Sequence, residues 1–86
     1  MGRIKKILKL IKQTHYPYYN THGQRALAEM DNGVECEVGL YYPEYCGDEV
    51  NECEMYNFNK LMYVSEKCVQ VFSATTLELI GCIPRS

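Results

Sequence analysis

Residues 24–40 read QRALAEMDNGVECEVGL, and this stretch carries the clearest local structural signal in the chain. The triplet at residues 31–33, Asp-Asn-Gly, is typical of a hairpin loop in which the final glycine takes the left-handed conformation. Folding the two arms back about this loop gives one nearly apolar face and one polar face. The register pairs Met30 with Val34, Ala28 with Cys36, Ala26 with Val38 and Gln24 with Leu40 on the first face, and Glu29 with Glu35, Leu27 with Glu37 and Arg25 with Gly39 on the second.

A competing interpretation of the same residues is a short helix over Gln24–Met30 that ends at Gly33. The apolar face of the paired arms favours the hairpin, because seven successive pairs agree with one register. Glu29 opposite Glu35 is a mild cost of that register, since like charges directly across a sheet repel.

The amino-terminal segment has the spacing of an amphipathic helix. Ile4, Ile7, Leu8 and Ile11 lie at positions i, i+3, i+4 and i+7, and Leu10 widens this apolar stripe. The remaining side carries the basic residues Arg3, Lys5, Lys6, Lys9 and Lys12. The sequence therefore predicts a helix that covers one face of a sheet.

The rest of the chain predicts a loop, an irregular acidic stretch and more strands. Residues 14–23 are expected to form a loop, and residues 42–59 an irregular excursion with a short helix over 49–56. A strand is expected over 60–65, followed by a second hairpin whose arms are 68–73 and 77–83.

These elements together predict a fold class for residues 1–86, which we expect to form a single domain. The class is α+β, with the amino-terminal amphipathic helix packed on a four- or five-stranded antiparallel sheet built from two hairpins.

Charge is sorted by position along the chain. Residues 1–25 contain six of the nine basic residues and no carboxylate, whereas residues 26–59 contain nine of the eleven carboxylates and no basic residue. The net charge of −2 hides this separation. Such asymmetry indicates which partners a protein attracts rather than which fold it adopts.

The acidic part of the chain also contains tyrosines next to Pro43, and tyrosine is enriched in binding hot spots. We therefore expect a non-enzymatic inhibitor or adaptor that engages a basic protein surface. A row of carboxylates also suggests a finer hypothesis, a nucleic-acid mimic of the kind found among viral or mobile-element inhibitors. The expected contact residues are Glu35, Glu37, Tyr41, Tyr42, Glu44, Tyr45, Asp48, Glu49, Glu52 and Glu54.

The alternative function uses the basic residues of the amino-terminal segment. Lysines and arginines on one side could bind nucleic acid or an anionic membrane surface. Nucleic acid is the less favoured partner, because nine carboxylates in the same small body repel a polyanion. The candidate residues are Arg3, Lys5, Lys6, Lys9 and Lys12.

The sequence contains none of the common catalytic or metal-binding motifs, and we expect no enzymatic activity, cofactor or metal site. A minor hypothesis of thiol chemistry rests on Cys68, which follows Lys67, with His15 or His22 as the base.

Five cysteines without an apparent export signal predict reduced thiols in the cytoplasm, and no segment is apolar enough to span a membrane. The sequence leaves the oligomeric state open, because the edges of a small sheet could pair two copies into a homodimer.

Overall fold

A computed structural model describes residues 2–16, 21–45, 55–56 and 59–85, and within them the protein is all-β. Six strands form one antiparallel sheet in the order β1-β2-β3-β6-β7-β8, and two short strands, β4 and β5, pair separately. The strands are β1 Ile4–Tyr16, β2 Thr21–Met30, β3 Glu35–Tyr41, β4 Glu44–Tyr45, β5 Met55–Tyr56, β6 Lys60–Val64, β7 Cys68–Ser73 and β8 Leu79–Pro84.

The predicted amino-terminal helix is wrong, because residues 4–16 form strand β1. The pairing of β1 with β2 shifts register at three places, and each shift inserts one extra residue into β1 as a β-bulge does. Inward-facing residues of β1 therefore recur every third position instead of every second. They meet β2 in the pairs Ile4 with Met30, Ile7 with Ala28 and Leu10 with Ala26. A strand bulged in this way has the residue spacing that we interpreted as helical.

The α+β fold class and the four- or five-stranded sheet are corrected accordingly to six strands in one all-β sheet. The loop predicted over 14–23 is too long, since β1 runs to Tyr16 and β2 begins at Thr21. Residues 55–56 form β5 rather than the end of the helix predicted over 49–56, and residues 46–54 lie outside the described part of the chain.

The hairpin around residues 31–33 is confirmed with the predicted register, from Glu29 opposite Glu35 to Gln24 opposite Leu40. At its turn, the amide of Gly33 donates to the carbonyl of Met30 at 2.9 Å, and Gly33 has φ 86°. A glycine is favoured there because a side chain would strain this left-handed conformation.

The carboxyl-terminal hairpin is also confirmed, with β7 over the predicted residues and β8 beginning two residues later than expected. Its turn is held by Ser73, whose carbonyl accepts from the amide of Leu77 at 2.9 Å. The Ser73 hydroxyl oxygen accepts from the amides of Thr75 and Thr76. Strand β6 lies where the sequence predicts it, over residues 60–64.

The core lies on the inner face of the rolled sheet, and it contains Ile4, Ile7, Ala26, Ala28, Met30, Val38, Leu40, Tyr42, Leu61, Tyr63 and Phe72. Leu40 and Leu61 are completely buried, and Phe72 is the largest fully buried side chain. These residues come from both ends of the chain, so the core forms only when the sheet curls on itself.

The side chain of Gln70 in β7 bridges the two sides of the curl. The Ile4 amide donates to Oε1 of Gln70 at 2.8 Å, and Nε2 of Gln70 donates to the Ile4 carbonyl at 2.9 Å. Strands β1 and β7 are separated in the sheet order by β2, β3 and β6. The buried amide of Gln70 therefore takes the place of a neighbouring strand at the edge of β1.

Replacing Gln70 by leucine is expected to lower the free energy of unfolding by about 2–4 kcal/mol, because it leaves the backbone amide and carbonyl of Ile4 buried without partners. Urea unfolding followed by circular dichroism measures the change. The matched control is Gln13→Leu at an exposed position of β1, expected to change stability by less than about 0.5 kcal/mol. Equal stability of the Gln70→Leu protein and the wild type would contradict the role of this contact.

Candidate functional site

The outer face of β1, β2 and β3 displays charge that is sorted by strand. Across the three strands the rows are Lys6–Glu29–Glu35, Lys9–Leu27–Glu37 and Lys12–Arg25–Gly39. Strand β1 therefore contributes a basic row, consisting of Lys6, Lys9 and Lys12, and β3 contributes carboxylates on the far side of β2. The charge separation along the sequence becomes a separation across one sheet face.

Ion pairs partly neutralise this face. Nε of Arg25 lies 2.8 Å from Oε1 of Glu37, and Nζ of Lys5 lies 3.9 Å from Oε2 of Glu29. The second pair is at the distance limit, and the Lys5 side chain is 67% exposed, so it contributes little stability. Among the residues with described side chains, Glu35 takes part in no ion pair.

Three carboxylates gather at the closed end of the β2–β3 hairpin, and we call Glu29, Asp31 and Glu35 the acidic tip. Glu29 and Glu35 are directly opposite each other in the sheet. Oδ2 of Asp31 accepts a hydrogen bond from the amide of Arg3 at 3.2 Å, a neutral donor that leaves the negative charge in place.

A concavity of about 400 Å³ adjoins the acidic tip. Met30, Val38 and Tyr63 contribute apolar lining, and Asp31 and Glu37 contribute carboxylates. Burial raises the pKa of the Tyr63 phenol, and the charge of Cys36 adds to the effect, so the tyrosine stays neutral. An apolar floor with carboxylates at its border suits the methylene stem and cationic end of a lysine or arginine.

Two of the three predicted tyrosine anchors, Tyr41 and Tyr42, are at least partly buried in the sheet. Tyr42 is buried, and its hydroxyl donates to Oε1 of Gln24 at 3.2 Å. Tyr41 is half-buried and lies opposite Met62, where β3 meets β6. A partner would therefore contact little of Tyr42 unless the sheet end rearranged.

The other predicted contact residues divide between a described pair of strands and an undescribed segment. Glu44 and Tyr45 form β4, which pairs with β5. Strands β4 and β5 flank residues 46–54 in the sequence, and Asp48, Glu49, Glu52 and Glu54 fall in that segment, outside the described residues.

All five basic candidates are exposed, but they lie on or just before a strand instead of on a helix: Arg3, Lys5, Lys6, Lys9 and Lys12. Successive members of the basic row oppose every second residue of β2, so they are about 6.8 Å apart along the sheet. The bulges thus turn a lysine at every third position into a straight row on one face.

A second cluster, the thiol corner, consists of Arg3, Ser65, Cys68 and Cys82. Cys82 opposes Gln70 and Cys68 opposes Pro84, so the two cysteines are diagonal neighbours on β7 and β8. The Ser65 hydroxyl lies 3.8 Å from the sulfur of the buried Cys68.

The two thiols influence each other's ionisation. The hydrogen bond from Cys82, helped by Ser65 and by the Arg3 guanidinium, holds the pKa of Cys68 below its ordinary value against the opposing effect of burial. The same bond to Cys68 raises the pKa of Cys82, and desolvation and the charge of the Cys68 thiolate add to the rise.

The sequence prediction singled out Cys68 but missed Cys82 and Arg3. The register of the second hairpin could have found Cys82, whereas Arg3 approaches only because the sheet curls. The histidines do not join this cluster. His15 opposes His22 with ring centroids 5.3 Å apart, eleven residues along β1 from the Ile4 backbone that holds Gln70.

Within the described residues, no group of three or more histidine, cysteine or acidic side chains is arranged to hold a metal ion. The same part of the chain contains no helix that could cross a membrane. Comparison with protein-family models, curated proteins and solved structures finds no match. Functional assignment therefore rests on the residues themselves.

Alkylation of Cys82 by iodoacetamide in the native protein is expected to follow a pH profile displaced to higher pH than that of an ordinary thiol. The reason is that the Cys82 thiol donates its proton in a hydrogen bond to Cys68 and therefore loses it less readily. Replacing Cys68 by alanine removes that acceptor and shifts the profile to lower pH. Peptide-resolved mass spectrometry gives the rate at each cysteine, with Cys36→Ala as the control that leaves the Cys82 profile in place. A Cys82 profile that Cys68→Ala leaves unchanged would contradict the hydrogen bond between the two thiols.

Proposed function

We propose that this protein is a non-catalytic binding protein of inhibitor or adaptor type. It engages a basic surface on another protein through the acidic tip and the acidic, tyrosine-containing segment that follows, residues 35–54. The observation that carries the proposal is the direct opposition of Glu29 and Glu35 in the sheet.

A like-charge pair in this position destabilises the free protein. Carboxylates directly across antiparallel strands repel, and exchanging one for a neutral residue is worth roughly 0.2–1 kcal/mol. Lys5 offsets this repulsion weakly, because its 3.9 Å contact with Glu29 is long and solvent-exposed. A cationic partner placed between the two carboxylates would relieve the repulsion, so binding gains what the isolated fold loses.

The concavity beside the acidic tip supports a partner with exposed lysine or arginine. Its apolar lining would cover the methylene groups of such a side chain, and the carboxylate of Asp31 in the same lining would attract the cationic end, whereas Glu37 is already paired with Arg25. Electrostatic attraction between the two surfaces would also speed their encounter and make it sensitive to salt.

The finer proposal concerns the class of partner. Nucleic-acid-binding proteins carry basic channels that accept a spaced row of negative charges, so the acidic segment would act there as a nucleic-acid mimic. Competition between this protein and DNA for the captured partner tests that refinement separately from binding itself.

The decisive variant is Glu29→Gln with Glu35→Gln. It is expected to raise the free energy of unfolding by roughly 0.2–1 kcal/mol, because the repulsion disappears. It should also slow association with the partner by roughly tenfold at low salt, because the steering charge is removed. The partner is captured from native lysate with the wild type and then purified. Urea unfolding gives the stability of the variant, and stopped-flow mixing with the purified partner gives its association rate.

The matched control is Glu66→Gln with Glu78→Gln, which removes the same charge at exposed positions away from the acidic tip. It should leave association unchanged to within about twofold. A companion variant, Glu49→Gln with Glu52→Gln and Glu54→Gln, tests the acidic segment. The proposal would be wrong if the variant at residues 29 and 35 and the variant at residues 49, 52 and 54 both bind the same partner at the rate of the wild type.

The basic row favours a second candidate function, binding of nucleic acid. Lys6, Lys9 and Lys12 form a straight line of exposed cations, and within the described side chains neither Lys9 nor Lys12 takes part in an ion pair. One observation disfavours nucleic-acid binding. The acidic tip lies close to the basic row, because Lys6 is opposite Glu29 in the sheet.

If the basic row binds DNA, exchanging Lys9 and Lys12 for glutamate should reduce the slope of log affinity against log salt by about 1.8, or about 0.9 for each phosphate that is no longer neutralised. Fluorescence anisotropy with a duplex oligonucleotide at several salt concentrations gives the slope. Lys60→Glu with Lys67→Glu makes the same charge change elsewhere and serves as the control. An equal reduction in both double variants would mean that net charge, rather than the row, governs binding.

A further inference from the structure

The outer face of strands β6, β7 and β8 is apolar, in contrast to the charged outer face of β1, β2 and β3. Leu61, Gln70 and Phe72 are buried toward the core, so the residues that alternate with them lie on the side of the sheet away from the core. The strand pairing arranges those residues in two rows, which we call the apolar face: Met62–Val71–Gly81 and Val64–Val69–Ile83.

The apolar face is in contact with solvent. Val64 and Ile83 at its sides are 42% and 59% exposed, and Met62, Val69 and Val71 between them are half-buried. The concavity beside the acidic tip and a second one of about 490 Å³ along β1 and the β7–β8 turn are lined by other residues. Neither concavity therefore supplies this face with a socket for a protruding side chain, and what it offers is a contiguous apolar surface of the kind that marks an interaction site.

Cations flank the apolar face at both ends. Lys60 precedes the first row by two residues on β6, and so it lies on the same side of the sheet. At the other end, Lys67 and Arg85 lie two residues beyond the second row. The amide of Arg85 donates to the carbonyl of Lys67 at 3.0 Å, which continues the β7–β8 pairing by one further pair. We call these three exposed residues the basic rim.

The charge of the basic rim is only partly offset. Nη1 of Arg85 donates to the carbonyl of Ser65 at 2.6 Å, and this neutral acceptor fixes the guanidinium without removing its charge. Within the described part of the chain, no ion pair involves a member of the basic rim. Residues 59–85 contain two carboxylates, Glu66 and Glu78, in the connections before and after β7. Three cations against two carboxylates leave a small excess of positive charge around an apolar centre.

This combination of charge and apolar surface selects what can cover the face. A second copy packed face to face would set one basic rim against another, because both ends of the face are cationic. Nucleic acid would match the rim but would leave the two apolar rows without an apolar partner. A lipid surface with anionic head groups matches both features, because lysine and arginine reach the head groups while apolar side chains contact the acyl chains.

We propose that the apolar face and the basic rim dock this protein on the surface of a membrane that contains anionic phospholipid. The binding is peripheral, with β6, β7 and β8 lying along the plane of the interface. Tyr41 extends the first row beyond Met62, and a tyrosine ring with its polar hydroxyl suits the border between acyl chains and head groups. The same lipid surface repels the acidic tip, which favours orientations that hold the tip away from the membrane.

Flotation with large unilamellar vesicles tests the proposal. The vesicles contain either phosphatidylcholine alone or equal parts of phosphatidylcholine and phosphatidylserine. The wild type should float with the anionic vesicles at low salt and stay in solution with the neutral ones. Binding should fall severalfold as salt rises from about 0.01 M to about 0.15 M, because the Debye length shortens from roughly 30 Å to roughly 8 Å.

The variant Val64→Thr with Ile83→Thr tests the apolar face at its two most exposed positions. It should lower the partition coefficient by at least about tenfold, because apolar groups that enter the interface are replaced by hydroxyls. The matched control is Ile11→Thr with Val34→Thr, at residues that are 44% and 54% exposed in β1 and in the β2–β3 turn. The control should stay within about twofold of the wild type.

The variant Lys60→Gln with Lys67→Gln tests the basic rim and leaves the apolar face intact. It should lower the partition coefficient by about fivefold for each lysine removed. The matched control is Lys9→Gln with Lys12→Gln, which removes the same charge from the basic row on β1 and should stay within about twofold of the wild type. Circular dichroism checks that each variant is folded.

Three results with vesicles would overturn the inference: no flotation with anionic vesicles at low salt, equal flotation with both kinds of vesicle, or an equal loss in a variant and its matched control. A dimer in sedimentation equilibrium that Val64→Thr with Ile83→Thr dissociates would also overturn it, because a second copy would then cover the face. Glu29→Gln with Glu35→Gln should leave flotation unchanged or raise it while it slows association with the basic partner, so this inference and the proposed function fail separately.

Discussion

The pairing of the Gln70 side chain with the Ile4 backbone is the contact on which the rest of the structure depends. It joins positions 66 residues apart in sequence and holds the first strand of the sheet against the fifth. Because the core contains both Ile4 of β1 and Phe72 of β7, the sheet has to curl to enclose it, and this contact contributes to that closure. Two satisfied buried hydrogen bonds thus keep a small sheet rolled about a modest core.

The bulges of β1 convert a chemical separation in the sequence into a geometric one. They let apolar residues at every third position face the core while lysines at every third position face solvent. The adjacent β2–β3 hairpin places its carboxylates on the other side of the same face, where Glu37 of β3 pairs with Arg25 of β2. A surface of this kind has both an attractive end and a repulsive end for any charged partner, which favours one orientation of binding.

The two edge strands of the sheet differ in the side chains that they expose. Strand β1, which lies next to the β2–β3 hairpin with the acidic tip, exposes lysines, whereas β8 exposes Leu79, Ile80 and Ile83.

The sequence by itself determined both hairpins, because the turn residues and the alternation of apolar side chains are local properties with a period of two. It determined the register from Gln24 to Leu40 for the same reason. It did not distinguish a helix from β1. A strand with one bulge in each three-residue repeat places apolar residues at every third position, which is close to the spacing of 3.6 residues in a helix. Only the tertiary structure decided that Tyr42 is buried and that Arg3 and Cys82 meet Cys68, because these contacts arise when distant strands are brought together by the curl of the sheet.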